Sequence, residues 1–309
     1  PITLMPIQVL LPAHNESGNI RAIHEEICKA LEGTGYEFSI LFVDDGSTDD
    51  TLDRIKDLAS MDNRVRFIEL SRNFGHQNAI KAGLDQTDAD ILIMMDCDLQ
   101  HPPGLIREML SWYERGYDIV RTRRRKSSHE GVIKQVTSKM FYRFLRHISE
   151  IQLEEGSADF RLISGNAIAQ LRNFGEYDLF YRGLIKWMGF RQVSIDYEPS
   201  PRYSGETKYS IRKMIGFGLK GVTSFSTRPL YFSAYMGVCL SSLSLLYIPY
   251  VIYALYHGMA IDGWASVIVT IVFFGGINLL ILGIIGIYIA KMFYQTKKRP
   301  HYIIKESNL

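Results

Sequence analysis

Four polar clusters stand directly after apolar runs in the first hundred residues, and their side chains are the ones that could do chemistry. Pro12-Ala13-His14-Asn15-Glu16 follows Ile7–Leu11, and Asp44-Asp45-Gly46-Ser47-Thr48-Asp49 follows Ser39–Val43. Ser71-Arg72-Asn73-Phe74-Gly75-His76-Gln77 follows Val65–Leu70, and Asp96-Cys97-Asp98-Leu99-Gln100 follows Ile91–Met95. An Asp-x-Asp on extended backbone puts Asp96 and Asp98 on the same side. Hard oxygen ligands at that spacing suit Mg2+ or Mn2+, with diphosphate oxygens completing the shell. Gln100 adds a neutral oxygen from that side, while Cys97 points its side chain away and offers only its backbone. No Walker pattern or dinucleotide fingerprint occurs, so a bound pyrophosphate has to be neutralised by other means, and a carboxylate-held divalent cation is the obvious one. His76 and His101 have no partner at metal-binding spacing and are expected to stay outside the chemistry.

Such clusters need a scaffold that gathers strand ends. Short apolar runs continue with Ile119–Val120, Phe160–Ile163 and Val193–Tyr197. Helical patterns fall between the early runs: Asn19–Leu31 behind the cap candidate Ser17, Thr51–Ser60 and Asn78–Gln86. Strand, helix, strand in repeating order predicts an α/β domain with a mostly parallel central sheet covered by helices on both faces. Ligands of such sheets bind at the carboxyl ends of the strands, where the polar clusters stand. The stretch Pro1–Leu11, broken by Pro6 and without a basic flank, is expected to be a first strand and not a leader.

The 309 residues are 22% charged with a formal net charge of +2, which predicts a folded core and gives no case for a nucleic-acid partner. Cys28, Cys97 and Cys239 form no spaced pairs, which predicts reduced thiols and neither a disulfide framework nor a zinc site. Pro229–Tyr256 and Gly263–Ala290 hold no acidic or basic residue. Each exceeds the roughly 20 apolar residues that cross about 30 Å of hydrocarbon as a helix. Two transmembrane helices are therefore expected, about 229–256 and 264–290, joined by a turn at 257–262; Pro249 is tolerable in such a helix. Arg212, Lys213, Lys220 and Arg228 precede the pair, and Lys291, Lys297, Lys298 and Arg299 follow it. That excess of positive charge puts residues 1–228 and a basic tail, 291–309, in the cytoplasm. Residues 132–148 set Ile133, Val136, Met140, Phe144 and Ile148 at helical spacing against Lys134, Lys139, Arg143 and Arg146. A juxtamembrane segment, 210–228, repeats the pattern over 210–222, and both suit a place among anionic membrane lipids. A hairpin this short also suits a homo-oligomer.

Taken as a set, the four strand-end clusters resemble the motifs of glycosyltransferase family 2. They are most similar to its polyprenyl-phosphate branch of dolichyl-phosphate mannose synthases and bactoprenol glucosyltransferases. Gly156-Ser157-Ala158-Asp159-Phe160-Arg161-Leu162 and Pro201-Arg202-Tyr203-Ser204-Gly205-Glu206-Thr207-Lys208-Tyr209 extend the likeness over nearly the whole part before the apolar runs. The two-span end is similar to that of the bactoprenol glucosyltransferases. The resemblance implies a GT-A fold over residues 1–209 and an inverting, metal-dependent transfer of a hexose. The donor it implies is a nucleotide diphosphate sugar, UDP-glucose foremost, the acceptor polyprenyl (undecaprenyl) phosphate, and the cofactor Mg2+ or Mn2+. Pro12, His14, Glu16, Val43 and Asp45 are implied as nucleoside contacts, with Cys97, Asp98 and Gln100 completing the nucleotide-sugar set. Asp96, Asp98 and Gln100 are implied to hold the metal and diphosphate. Asp159 matches the active-site aspartate, and Arg202 and Lys208 match a phosphate-binding basic pair. His14 departs from a common tyrosine or phenylalanine, although imidazole still stacks.

A phosphate acceptor changes what Asp159 has to do. A phosphate monoester, with a second pKa of about 6, is mostly dianionic at neutral pH and hardly needs a base. Asp159 is therefore expected mainly to position the sugar or Arg202 and Lys208, with base action second. Arg123, Arg124, Arg125 and Lys126 form another candidate set for an anionic acceptor, a solvated or membrane-facing loop being the plainer alternative. A processive polysaccharide synthase is disfavoured, because no Gln-x-x-Arg-Trp motif and no further spans occur. A non-catalytic membrane adaptor is opposed by the intact Asp96, Asp98, Asp159, Arg202 and Lys208. GDP-mannose, UDP-N-acetylglucosamine and UDP-galactose stay open as donors, since nothing in the motifs reads sugar hydroxyls.

Overall fold

The computed structural model describes residues 6–125, 156–198, 226–258 and 263–309. The segments expected at 132–148 and 210–222, and with them Lys126, Arg202 and Lys208, lie outside the described residues.

Four strands, β1 (Ile7–Ala13), β2 (Phe38–Asp44), β3 (Val65–Leu70) and β4 (Ile91–Met94), run parallel in the order β4-β1-β2-β3. Ile7, Val9 and Leu11 of β1 share one apolar cluster with Ile40 and Phe42 of β2. Leu10, Leu41 and Val43, one residue out of phase, join a second cluster on the other face. Strands apolar on both faces must be covered on both. The helices α1 (Ile20–Leu31), α2 (Thr51–Met61) and α4 (Leu105–Glu114) supply Ile23, Ile55 and Ile106 to the first face. The second face receives Ile80 of α3 (His76–Gln86), Leu171 of α5 (Gly165–Arg172) and Leu184 of α6 (Tyr181–Trp187). Strand order reverses at β1, between β2 and β4, and that reversal opens a crevice at the carboxyl ends of the strands.

Beyond β4 the sheet is mixed. β6 (Ser157–Ser164) runs antiparallel to both β4 and β5 (Ile119–Arg124), and β7 (Gln192–Tyr197) runs parallel to β5. At the other edge, β8 (Ile304–Ser307) pairs antiparallel with β3, turning part of the expected tail into sheet. Lys305 pairs with the buried Glu69, Glu306 accepts from Lys56 at 2.6 Å, and Asn308 Oδ1 accepts from the Phe67 amide at 2.6 Å.

Two long helices, α7 (Arg228–Tyr256) and α8 (Trp264–Thr296), leave large apolar side chains such as Phe232, Ile252, Leu279 and Ile289 unburied. Within α8, Val269–Thr296 contains an 18-residue stretch with a mean hydropathy of 2.4 and is long and apolar enough to cross a membrane. The helix runs past the expected end at 290 because its last turns find partners on the globular part. Lys291 pairs with Asp178 at 3.1 Å, Tyr294 stacks on Tyr177 with ring centroids 4.7 Å apart, and Gln295 donates to the Gly175 carbonyl.

Candidate active site

The Asp-x-Asp lies where β4 ends. Met95 still donates to the Leu10 carbonyl of β1, and the chain then turns over the crevice. Leu99 has φ +58, a left-handed conformation uncommon without glycine, and Asp98 accepts from the Gln100 amide at 3.1 Å. Ligand atoms of Asp96, Asp98 and His101 lie within 4.8 Å of one another. Two partly exposed carboxylates gathered at a tight turn suit a divalent cation. Cys97 is buried and its thiol donates to the Pro12 carbonyl at 3.4 Å, away from the carboxylates.

Contrary to the sequence expectation, both histidines are at the site. His101 is fully buried; its Nε2 lies 3.1 Å from Asp96 Oδ2 and its Nδ1 2.7 Å from the Tyr197 hydroxyl. Spacing along the chain does not reveal this, because Tyr197 is 96 residues away and arrives on β7. Burial by itself raises the Asp96 pKa, but the His101 hydrogen bond and the two imidazoles outweigh it and hold the carboxyl below its usual range. His76 follows Gly75, whose φ of +96 lets the chain enter α3 at this angle. Its Nε2 is 3.5 Å from Asp96 Oδ1 and 3.9 Å from Asp159 Oδ2.

The antiparallel pairing of β4 with β6 explains why Asp159 comes so close. Met94 stands opposite Arg161, and continuing that register by two residues sets Asp96 opposite Asp159. Arg161, two residues on, shares the side of Asp159, and both are buried. Arg161 donates to Asp159 Oδ1, and Arg182 of α6 bonds both carboxylate oxygens, at 3.0 and 2.8 Å. Burial pushes the Asp159 carboxyl up, yet the Arg182 and Arg161 guanidiniums override it and hold its pKa far below the ordinary range. Arg161 lies within the Gly156–Leu162 motif, where the resemblance implies no role for it, and Arg182 has no signal in the sequence.

Asp45 has a structural task beside the nucleoside contact that the resemblance implies. Its oxygens accept from the Phe74 amide at 2.7 Å and the Gly75 amide at 2.9 Å, stapling the 71–77 loop to the end of β2. Gly46 makes that docking possible: with φ +64, a Cβ there would sit 2.5 Å from the Arg72 carbonyl carbon. A cavity of about 170 Å³ lies beneath, lined by Pro12, His14, Asp45, Asn73 and His76 among others. His76 belongs to both this cavity and the carboxylate cluster, so the two adjoin. Glu16 accepts from Asn19 at 2.6 Å beside the cavity's first strand. Val43 is fully buried in the core, so only its main chain can meet a ligand.

The basic run is strand and not loop for its first members. Arg123 forms a two-bond ion pair with Asp196, at 2.6 and 2.8 Å, and Arg124 donates to the Tyr197 hydroxyl at 3.1 Å. Neither is a bare cation waiting for an anion. A larger depression, about 1090 Å³, opens at the opposite ends of the strands near Asp90 and Asp118 and holds none of the predicted residues. His24, Cys28 and Asp62 also cluster, but Arg64 already takes both oxygens of Asp62.

The model for glycosyl transferase family 2 matches residues 8–172. The chain is 40% identical to the CsbB protein of Bacillus subtilis (strain 168) over 98% of this chain and 92% of that one. It is 35% identical to the bactoprenol glucosyl transferase of Shigella phage SfII, over 98% of this chain and 99% of the relative. Among solved structures, the mannosyltransferase PcManGT of Pyrobaculum calidifontis superposes with a TM-score of 0.50 at 13% identity, covering 96% of this chain and 88% of that one. Mannosyl-3-phosphoglycerate synthase of Rubrobacter xylanophilus gives 0.50 at 18% identity, covering 70% and 71%. Strand-end carboxylates, the mixed sheet and these likenesses agree: the chain is a glycosyltransferase and belongs to glycosyl transferase family 2.

Proposed function

We propose that this glycosyltransferase moves a hexose, glucose from UDP-glucose foremost, onto polyprenyl phosphate at a membrane surface, with inversion and with Mg2+ or Mn2+. The observation that carries the reading is the His76 bridge, 3.5 Å from Asp96 and 3.9 Å from Asp159. It joins the recess of about 170 Å³, a metal-suited carboxylate pair and an arginine-held carboxylate in one crevice. Relatives named bactoprenol glucosyl transferase, alike over nearly their full length, support the acceptor and the sugar.

In this reading Asp96, Asp98 and Gln100 hold the cation, which when bound neutralises negative charge gathering on the departing diphosphate. Pro12, His14, Glu16 and Asp45, with the main chain of Val43 and Cys97, surround the nucleoside. Asp159, deeply ionised between two guanidiniums, is a poor proton acceptor; it positions Arg161 and Arg182 and keeps the crevice walls in register. Arg202 and Lys208 are proposed as the cations for the lipid's phosphate.

The catalytic domain, 1–209, is proposed to sit in the cytoplasm on two spans, about 229–256 and 264–290. Support comes from β8. The chain leaves the domain before α7 and returns after α8 to pair with β3, which supports an even number of crossings, with α7 as the partner of Val269–Thr296. Unburied apolar side chains along both helices favour hydrocarbon over water.

The test is a donor screen with purified full-length protein, undecaprenyl phosphate and Mn2+, following lipid-linked product by mass. UDP-glucose is expected to give the largest yield over UDP-N-acetylglucosamine, UDP-galactose and GDP-mannose. Product from none of the four overturns the reading.

A further inference from the structure

His101 is an unusual residue to bury completely, and its partners form a chain. Arg124 Nε donates to the Tyr197 oxygen at 3.1 Å, Tyr197 lies 2.7 Å from His101 Nδ1, and His101 Nε2 lies 3.1 Å from Asp96 Oδ2. Donor and acceptor inventory gives this chain a direction. A carboxylate only accepts, so His101 Nε2 carries a hydrogen and donates to Asp96. With the imidazole neutral, Nδ1 is then an acceptor and takes the Tyr197 proton, while the Tyr197 oxygen accepts from the Arg124 guanidinium, which only donates. Every hydrogen in the chain points towards the carboxylate.

The surroundings hold this order in place. The His101 ring packs against Phe160, centroids 5.4 Å apart, and against Tyr197 at 5.8 Å. Tyr197 is buried on β7, and its registered partner on β5 is Arg124 itself. Asp96 therefore has one oxygen committed to a rigid donor, and its other oxygen faces the crevice beside His76. Outer-shell hydrogen bonds of this kind orient ligating groups, and their loss typically costs 10- to 100-fold in metal affinity or activity.

We propose that His101, Tyr197 and Arg124 are positioning residues that aim Asp96 at a divalent cation, and that strand β5 is thereby tied to the metal site. The proposal rests on the reading of Asp96 as a metal ligand. It makes the end of the basic strand part of the metal site's support, a role distinct from direct capture of an anion.

The test uses the full chain in detergent or nanodiscs and reads Mn2+ binding directly, by the loss of free-ion paramagnetic signal, without donor or acceptor. Tyr197→Phe keeps the ring and removes the hydroxyl; Arg124→Gln alters the outer, half-buried end. Both are expected to weaken Mn2+ binding about tenfold, with the melting temperature nearly unchanged and turnover recovered at saturating Mn2+. Wild-type affinity in Tyr197→Phe overturns the relay while leaving Asp96 as a ligand. A wild type that binds no Mn2+ overturns the metal reading and the relay with it. Should Tyr197→Phe lose its cooperative melt, Arg124→Gln decides by the same measure.

Discussion

Arg182 donates to both carboxylate oxygens of Asp159, at 3.0 and 2.8 Å, while the buried Arg161 holds one of the same oxygens from its own strand. A carboxylate gripped from two sides is a structural anion. It is a weak candidate for removing a proton.

The first prediction follows from that grip. Asp159→Asn takes the adjoining carboxylate from the buried Arg161 guanidinium and leaves it only the more distant Asp96, and removing one partner of a buried pair costs about 3 kcal/mol. Because the folded pKa of Asp159 is depressed, its stabilisation is fully present above the unfolded value of about 3.9 and fades only as pH falls below it. Thermal melts across pH 3–8 should therefore show a difference between wild type and variant that holds above about pH 4 and narrows below. Turnover falls in the variant, but the shape of its pH–rate profile matches wild type. A wild-type limb between pH 4 and 7 that Asp159→Asn lacks would restore the base.

The second concerns the Asp45 staple. Asp45→Ala leaves the Phe74 and Gly75 amides without their acceptor and frees the loop that carries His76. The donor's KM is expected to rise about tenfold, or about 1.4 kcal/mol, with a smaller change in kcat. Gly46→Ala drives a methyl into the Arg72 backbone and should raise KM at least as much. Unchanged KM in both variants removes the loop from donor binding.

Much of this arrangement is legible in sequence, and the reason is local. The parallel strands carry apolar residues on both faces, so Ile7–Leu11 or Val65–Leu70 stands out against its polar neighbours, and the clusters at their ends mark the crevice. What the sequence does not display depends on partners distant in the chain. His101 looks solitary until β7 brings Tyr197 beside it; Arg182 has meaning only once α6 packs under Asp159. The strand β8 reads as a charged tail because Lys305 and Glu306 find their opposite charges on Glu69 and Lys56, far upstream.

A third prediction tests that strand. Lys305 is largely exposed, so Lys305→Ala alone should cost under about 1 kcal/mol. Deleting residues 301–309 removes the whole ladder on β3 and uncovers an edge, which should lower the melting temperature by several degrees and promote aggregation. A truncated chain as stable and monodisperse as the full one would make β8 dispensable.

Fourth, the proposed pair of spans, with β8 back on β3, puts the end of the chain on the same side as the catalytic domain. In sealed vesicles, a tag after Leu309 and a tag inserted in the catalytic domain should be cleaved by added protease on the same side and to the same extent. Opposite protection would mean an odd number of crossings.

The most direct measurement follows transfer from UDP-glucose to undecaprenyl phosphate by the purified protein before chelation, after complete chelation, and after Mn2+ is returned. Product should vanish with the metal and reappear with it, and Asp96→Ala and Asp98→Ala should each stay at least 100-fold below wild type throughout, about 2.7 kcal/mol or more. Undiminished product after chelation, or from either aspartate variant, would contradict a cation held at the end of β4.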